Sequence, residues 1–525
     1  MNISGLTKRI PDDEKSPLVT ELLQIIQKQS EEIQLLKDEI ARLKGQKPKP
    51  KIKPSNLDKE TNKGKNDNKK KKRQKKRSKT KKLTIHEDKR LHPENLPPGS
   101  TLIDYQDFVV QDLIFSNWNI RYRRGRWQTP SGEYITGSLP NDVKGHFGAR
   151  LVSFVLYQHY ACHVTQPLIL EQLHELGIDI SSGQLNNILI KKKDPFHDEK
   201  DLLLSTGLDI STYINVDDTG ARHKGKNGYC THIGNEYFAW FESTRSKSRI
   251  NFLNLLRAGK ADYVLNSDAL DYMAANRLPQ YQLDKLASNA GNIFVNKSEW
   301  LKFLKSHGIT SKNHIRIAME GGLVGSLIHH GYNKDLAIIS DDAGQFNVFL
   351  HALCWVHAER SIHKLIGYTE KTNKILEKVR KDIWQLYRDL KVYRAKPRAT
   401  QKKKLEKRFD QLFTQKTGYT TLDLALNRIY ENKQELLLVL ERPDIPLHNN
   451  LSEGDIREYV KRRKISGSTR SDTGKRCRDT FISLKKTCRK LGVSYWNYLH
   501  DRISKENNIP PLPALMKLKA DEASA

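Results

Sequence analysis

The chain has 525 residues, a hydrophobic fraction of 37% and a formal charge of +30, with a mean hydropathy of −0.68. That length allows two to four domains. No apolar run approaches membrane-spanning length and no apolar signal core opens the chain, so a membrane protein is excluded and a soluble one, cytoplasmic and nucleoid-associated, is expected. The charge makes a polyanion the leading partner. The five cysteines form no Cys-x-x-Cys pair, which predicts reduced, mostly buried thiols.

The first segment, 1–46, carries Val19, Leu22, Ile26, Gln29, Ile33, Leu36, Ile40 and Leu43 at alternating spacings of three and four. That is a heptad seam with Gln29 its only polar member. A lone amphipathic helix would show the same stripe, but the Pro/Lys-rich stretch after it disfavours folding back. A coiled coil joining copies of the chain is expected.

Residues 47–95 read as a basic disordered linker. From Lys44 to Lys82 there are 19 Lys or Arg against 3 acids. Lys69, Lys70, Lys71, Lys72 and Arg73 open its densest run, 11 basic residues in 14 positions. That density favours nucleic-acid contact over a merely solvated tail.

Residues 96–205 read as a mixed DNA-binding region. Tyr122, Trp127, Tyr134 and Ile135 flank turn signals and suggest strands across 100–140. Helices follow. One spans Leu168 to Leu176, stops at Gly177, and is succeeded by one capped by Ser181 or Ser182. Helix, short turn and capped helix suggest a helix-turn-helix, an arrangement also common in other α-domains.

Residues 206–366 read as the first part of a catalytic core. Ile214 to Val216 is a strand leading to Asp217; two more strands and a helix with Ile250, Leu253 and Leu256 follow. Leu336 to Ile339 is a strand ending at Asp341, and a helix after Gly344 would align Phe346, Phe349, Leu350, Leu353 and Val356. This order is compatible with a ribonuclease H-like core. Residues 367–445 read as an α-helical insertion. Residues 446–500 return to the core with a helix opened by Asn450 and carrying Glu453; 501–525 is a C-terminal tail. The fold class expected is therefore α/β: a ribonuclease H-like core with a helical insertion, behind a coiled coil, a basic linker and a β/helix-turn-helix region.

Asp217, Asp341 and Glu453 are the metal-binding and catalytic candidates. Carboxylates at neighbouring strand ends, joined by one from a helix, make an oxygen cage for Mg²⁺, with Mn²⁺ as a substitute; paired Mg²⁺ ions drive phosphoryl transfer. Each acid has a plainer reading as a cap, Asn450 with Glu453 fitting a capping box. Asp218 and Asp342 rank second within their doublets. Arg457, Lys461, Arg462, Arg463 and Lys464 would follow the substrate backbone, and Arg470 lies in a polar loop suited to phosphate. Cys354 and His357 are half a zinc site at best, so packing and hydrogen-bonding roles are preferred and no zinc is expected.

Four blocks then resemble the transposase of the insertion sequence 66 family: Val216–Arg222, Ser340–Phe346, Cys354–Arg360, and Asn449–Glu453 with Arg457. The likeness spans about residues 100–500. It implies a DDE transposase that cuts at its element's ends and joins them to target DNA, with Asp217, Asp341 and Glu453 as the triad. It implies terminal inverted repeats and target DNA as partners, a homo-oligomer through the coiled coil, and room for accessory proteins of the same element. Many relatives carry a Cys-rich segment before the core; residues 83–161 here contain no cysteine. A nuclease that cuts without joining, and a non-enzymatic dimeric DNA-binding regulator, are the rival readings.

Overall fold

The structure is a computed structural model. It describes residues 84–524 apart from 92–94, 96, 98–99, 106–107 and 141–144, and ten positions between 19 and 39, all helical. Among those positions Leu22, Ile33 and Leu36 are exposed. Val19 and Ile26 are half-buried and Gln29 is exposed. Ile40 and Leu43, and the run containing Lys69, Lys70, Lys71, Lys72 and Arg73, lie outside the described residues.

The stretch expected to be β-rich holds one short hairpin among its described residues, β1 (Arg126–Gln128) with β2 (Tyr134–Thr136). Helices α1 (Ala149–Leu156), α2 (Gln166–Glu175), α3 (Ser182–Ile190) and α4 (Asp194–Ile210) follow. Gly177 stops the α2 segment in the left-handed region, at φ 71°. Ser181 caps α3 and Gln184 bonds back to it, a complete capping box.

Strands β3 (Tyr213–His223), β4 (Lys226–Gly234), β5 (Ala239–Thr244), β8 (Ala337–Ser340) and β9 (His351–Leu353) form one mixed sheet in the order β5-β4-β3-β8-β9. β3–β4 and β4–β5 are antiparallel; β3–β8 and β8–β9 are parallel. The β3–β4 turn is the pair Lys224 and Gly225, both with positive φ, as a tight two-residue hairpin requires. Alternation splits the core. Ile214, Val216 and Ile338 enter one apolar cluster, while Ala337 and Ile339 enter the cluster on the other face.

Two elements differ from expectation. The segment after Gly344 is no helix: Phe349 takes φ 52°, and His351–Leu353 is a buried strand paired with β8. Its apolar residues suit either periodicity, and the open edge of β8 decided between them. Between β5 and β8, where the sequence predicts one helix before the next strand, stands a whole layer. It comprises α5 (Arg249–Leu256), β6 (Tyr263–Val264), α6 (Ser267–Ala275), α7 (Gln280–Ala287), β7 (Ile293–Phe294), α8 (Lys297–Ser306) and α9 (Lys312–His329).

Beyond β9 come α10 (Trp355–His363), α11 (Glu370–Ala395), α12 (Ala399–Thr414), α13 (Thr420–Tyr430) and α14 (Lys433–Leu437), the expected helical insertion following the first of these. Helices α15 (Asn450–Ser466), α16 (Asp472–Leu491), α17 (Tyr495–Ser504) and α18 (Leu512–Ser524) complete the chain. The expected tail is therefore structured; Leu512 and Met516 of α18 are buried.

Helix α16 protects the edge strand β5. The N–H groups of Ala239, Phe241 and Ser243 donate to Thr487, Ser483 and Asp479 at 3.1, 2.9 and 2.8 Å. Every second strand residue meets every fourth helix residue because about 6.7 Å of strand matches about 6 Å of helix. An edge so covered offers no free ladder to another chain.

Candidate active site

The β3–β8 register explains why two acids meet. Its last pair is Asn215 with Ile339. Asp217 and Asp341 each lie two residues further on, so alternation sends both the same way at the same level. Asp217 stands in mid-strand, because β3 continues along β4 after leaving β8. Burial, then the charge of Asp341, pushes the Asp217 carboxyl up to about 8. Asp218 is otherwise engaged, accepting from Thr231 and, at 2.8 Å, from Gln345. Asp341 accepts from the N–H of Ala343 at 3.2 Å, closing a turn rather than capping a helix.

Glu453 arrives in the first turn of α15, where a helix N-terminus favours a carboxylate. Its oxygens meet Arg360 Nη1 at 3.1 Å, His357 Nε2 at 3.4 Å and Arg457 Nη2 at 3.8 Å. Burial opposes charge on His357. The Cys354 sulfur, Asp341 and Glu453 outweigh it and push the imidazole up to about 9. The same ring lowers the pKa of Asp217. One imidazole thus lies within electrostatic reach of all three carboxylates.

Asn449 precedes the helix and makes no capping bond. Its amide nitrogen donates to the Val216 carbonyl at 2.8 Å, its oxygen accepts from Asn215 at 2.9 Å, and its backbone N–H meets Cys354 Sγ at 3.2 Å. One side chain therefore ties the root of α15 to the strand of Asp217. A second tie is buried: His232 bonds Ser452 at 2.6 Å and approaches Asp455 at 3.2 Å. Lys486 and Lys490 reach the same Asp455 carboxylate at 3.2 and 2.8 Å. Burial works against the charge of Asp455, yet His232, Lys490 and Lys486 hold it well below the usual carboxylate range. Sequence reading missed these ties. The only signal was the Asn449-Asn450 pair, which invites reading as a cap.

Glu453, Arg457, Lys461 and Lys464 recur at four, four and three residues and share one face of α15. Arg457, Lys461 and Lys464 are exposed, as is Arg470. Arg463 turns to the Gly220 carbonyl on β3. Arg462 does not join the stripe. It is buried, with its guanidinium on His159 at 2.7 Å, because its position faces the packed side of α15. The loop after α15 is stitched to the β3–β4 turn, through Thr469 to Arg222 and Lys224 to Thr469.

The half-buried Asp217 and Asp341 suit a hard divalent cation: two acidic oxygen donors within electrostatic reach, with Asp217 driven towards its protonated form by burial and then by Asp341. Glu453 already accepts from Arg360. Among the described residues no three His, Cys, Asp or Glu side chains are gathered closely enough to hold an ion together. No helix described is long and apolar enough to cross a membrane.

A mixed α/β core with a sunken acid pair beside a cationic helix face suits a DNA-processing enzyme. The family model described as "Transposase IS66 family" matches residues 310–477. The chain is also 46% identical over 321 residues to the uncharacterized protein y4jO of Sinorhizobium fredii (strain NBRC 101917 / NGR234), covering 61% of this chain and all of that one. The chain belongs to the IS66 transposase family.

Proposed function

We propose that this protein is a Mg²⁺-dependent DDE transposase that cleaves at the ends of its element and joins the freed ends to target DNA, with Asp217, Asp341 and Glu453 as the triad. The observation that carries this reading is the shared register: Asp217 and Asp341 both lie two residues past the last β3–β8 pair. The strand order β5-β4-β3-β8-β9, with only β4 antiparallel to its neighbours, supports a ribonuclease H-like core. The N-terminal seam would pair subunits, the arm containing Lys69 to Arg73 would gather DNA, and α2–α3 would serve as the helix-turn-helix. These segments follow the boundaries expected from the sequence, with 501–525 assigned to the packed C-terminal helices.

Asp217 and Asp341 would hold the cation, and Glu453 would complete the set by turning from Arg360. When bound, Mg²⁺ supplies activation of the attacking hydroxyl and charge stabilisation at the leaving 3′-oxygen. The chain itself does the rest. Asp217, whose carboxyl burial and Asp341 push up, would have to be ionised to hold the ion. Arg360 and His357 would hold the Glu453 carboxylate until the ion binds, and Asn449 would keep its helix against β3. Arg457, Lys461 and Lys464 would track the phosphate backbone, with Arg470 beside them. Energy is conserved by transesterification, so no nucleotide is required.

Asp217→Ala should abolish Mg²⁺-dependent cleavage of an element-end duplex while leaving duplex retention in a mobility-shift assay within about twofold, since the basic residues are untouched. Cleavage by the variant at the wild-type rate would remove Asp217 from the reaction.

A further inference from the structure

The helical insertion carries cations that the catalytic reading leaves unused. Between Arg388 and Arg408, at the turn between α11 and α12, ten of 21 residues are Lys or Arg against two acids. Five of the ten have structural work: Arg388 donates to Gln385 and Lys391 lies over the Tyr387 ring. Arg394 donates to the carbonyls of Pro443 and Asp444 at 3.0 Å, Lys402 pairs with Glu441, and Arg408 pairs with Asp389. Lys396, Arg398, Lys403, Lys404 and Lys407 are exposed and have no acidic partner among the described residues. Lys403 with Lys407, and Lys404 with Arg408, are like charges four apart on one helix, which cost it stability.

These cations sit on a rigid mount. Tyr393, Leu405 and Phe409 are buried beneath them, and the Tyr393 hydroxyl bonds the Leu440 carbonyl at 2.9 Å. The adjoining loop is pinned by Arg442, which donates to the carbonyls of Asp335 and Thr212 at 2.7 and 3.1 Å. Thr212 and Asp335 stand just before β3 and β8, at the strand ends opposite the acids. Five residues of strand separate Thr212 from Asp217, about 17 Å. The patch is thus a surface separate from the acid site, fixed in place and self-repelling.

We propose that the α11–α12 turn is a second, sequence-independent surface for duplex DNA, taking phosphates with Lys396, Arg398, Lys403, Lys404 and Lys407. It rests on the DNA-processing reading above and adds to it a separate arm of the same DNA, or a second duplex, held away from the acids.

Chemical acetylation of the full-length protein tests this. Saturation with a duplex of unrelated sequence should lower the reactivity of Lys396, Lys403, Lys404 and Lys407 several-fold. Replacing all five residues by Gln should flatten the slope of log affinity against log salt by about 4.5, since each phosphate contact contributes about 0.9. Unchanged lysine reactivity at saturation, or an unchanged slope, overturns the proposal; so does protection by poly-glutamate but not by DNA, which would assign the surface to an acidic protein. Cleavage of a short end duplex is measured in parallel. If neither wild type nor variant cuts, the catalytic reading fails, while lysine protection still judges this surface.

Discussion

At the scale of single residues, the doublets Asp217-Asp218 and Asp341-Asp342 show how far a sequence argument reaches. A strand pointing at two acids ranks the first only weakly. In the structure the two acids of the first doublet differ in partners: Asp218 accepts from Thr231 and Gln345, and Asp217 from the Asp218 N–H. Glu458 shows the opposite case, an acid to which no role was given. It accepts from His163 at 2.8 Å and Lys485 at 2.5 Å, joining α15 to the segment after α1. The His163 hydrogen bond, then Lys485, holds its carboxyl well below the ordinary value of 4.5. A depressed folded pKa means stability that is fully present above the unfolded pKa and lost as pH falls from there through the folded pKa. Glu458→Gln should therefore cost about 2 kcal/mol at pH 7, measured by urea unfolding. The gap between variant and wild type should begin to narrow below pH 4.5 and close only as the pH falls through the depressed folded pKa. A gap independent of pH would show that the carboxylate's charge contributes nothing.

At the scale of elements, periodicity was legible wherever an element buries one face. β3, α2, α3 and α5 stand close to where alternation and caps place them. It failed at β9, where three buried residues carry no period of their own, and at the layer between β5 and β8. There several short helices and two-residue strands make a core jointly, around Trp300 and Tyr263. Helix α15 depends on Asn449 for its placement, since that side chain links it to β3. Asn449→Leu keeps the branched outline of the side chain and removes the bonds to Val216 and Asn215. Cleavage of an end duplex should fall at least tenfold, because an acid displaced by about 1 Å loses on the order of 100-fold in rate. DNA retention should persist, and Asn449→Asp, which keeps the oxygen that accepts from Asn215, should recover part of the rate. Equal loss in both variants would point to general misfolding of the site.

At the scale of the whole molecule, the charge excess is divided among the N-terminal arm, the α15 stripe and the α11–α12 turn. A chain built so meets DNA in several places at once, and self-association would multiply them. The seam from Val19 to Leu43 makes the assembly testable. Replacing Leu22, Ile33 and Leu36 together by Glu should reduce the mass measured by light scattering from that of an oligomer to about 61 kDa, the monomer being 60.6 kDa. A wild-type chain already at monomer mass would refute the zipper.

Sequence alone determined the chemistry on offer: three acidic blocks, a basic chain, a heptad seam and the order of most elements. These are local properties, written in spacing and side-chain type. Tertiary structure decided which acids face one another, that Arg462 turns inward while Arg457 and Lys461 stay in solvent, and that Asn449 bridges rather than caps. Those outcomes depend on strand register and on which helix covers which edge. Both are set by contacts between residues more than a hundred positions apart, where spacing along the chain carries no information.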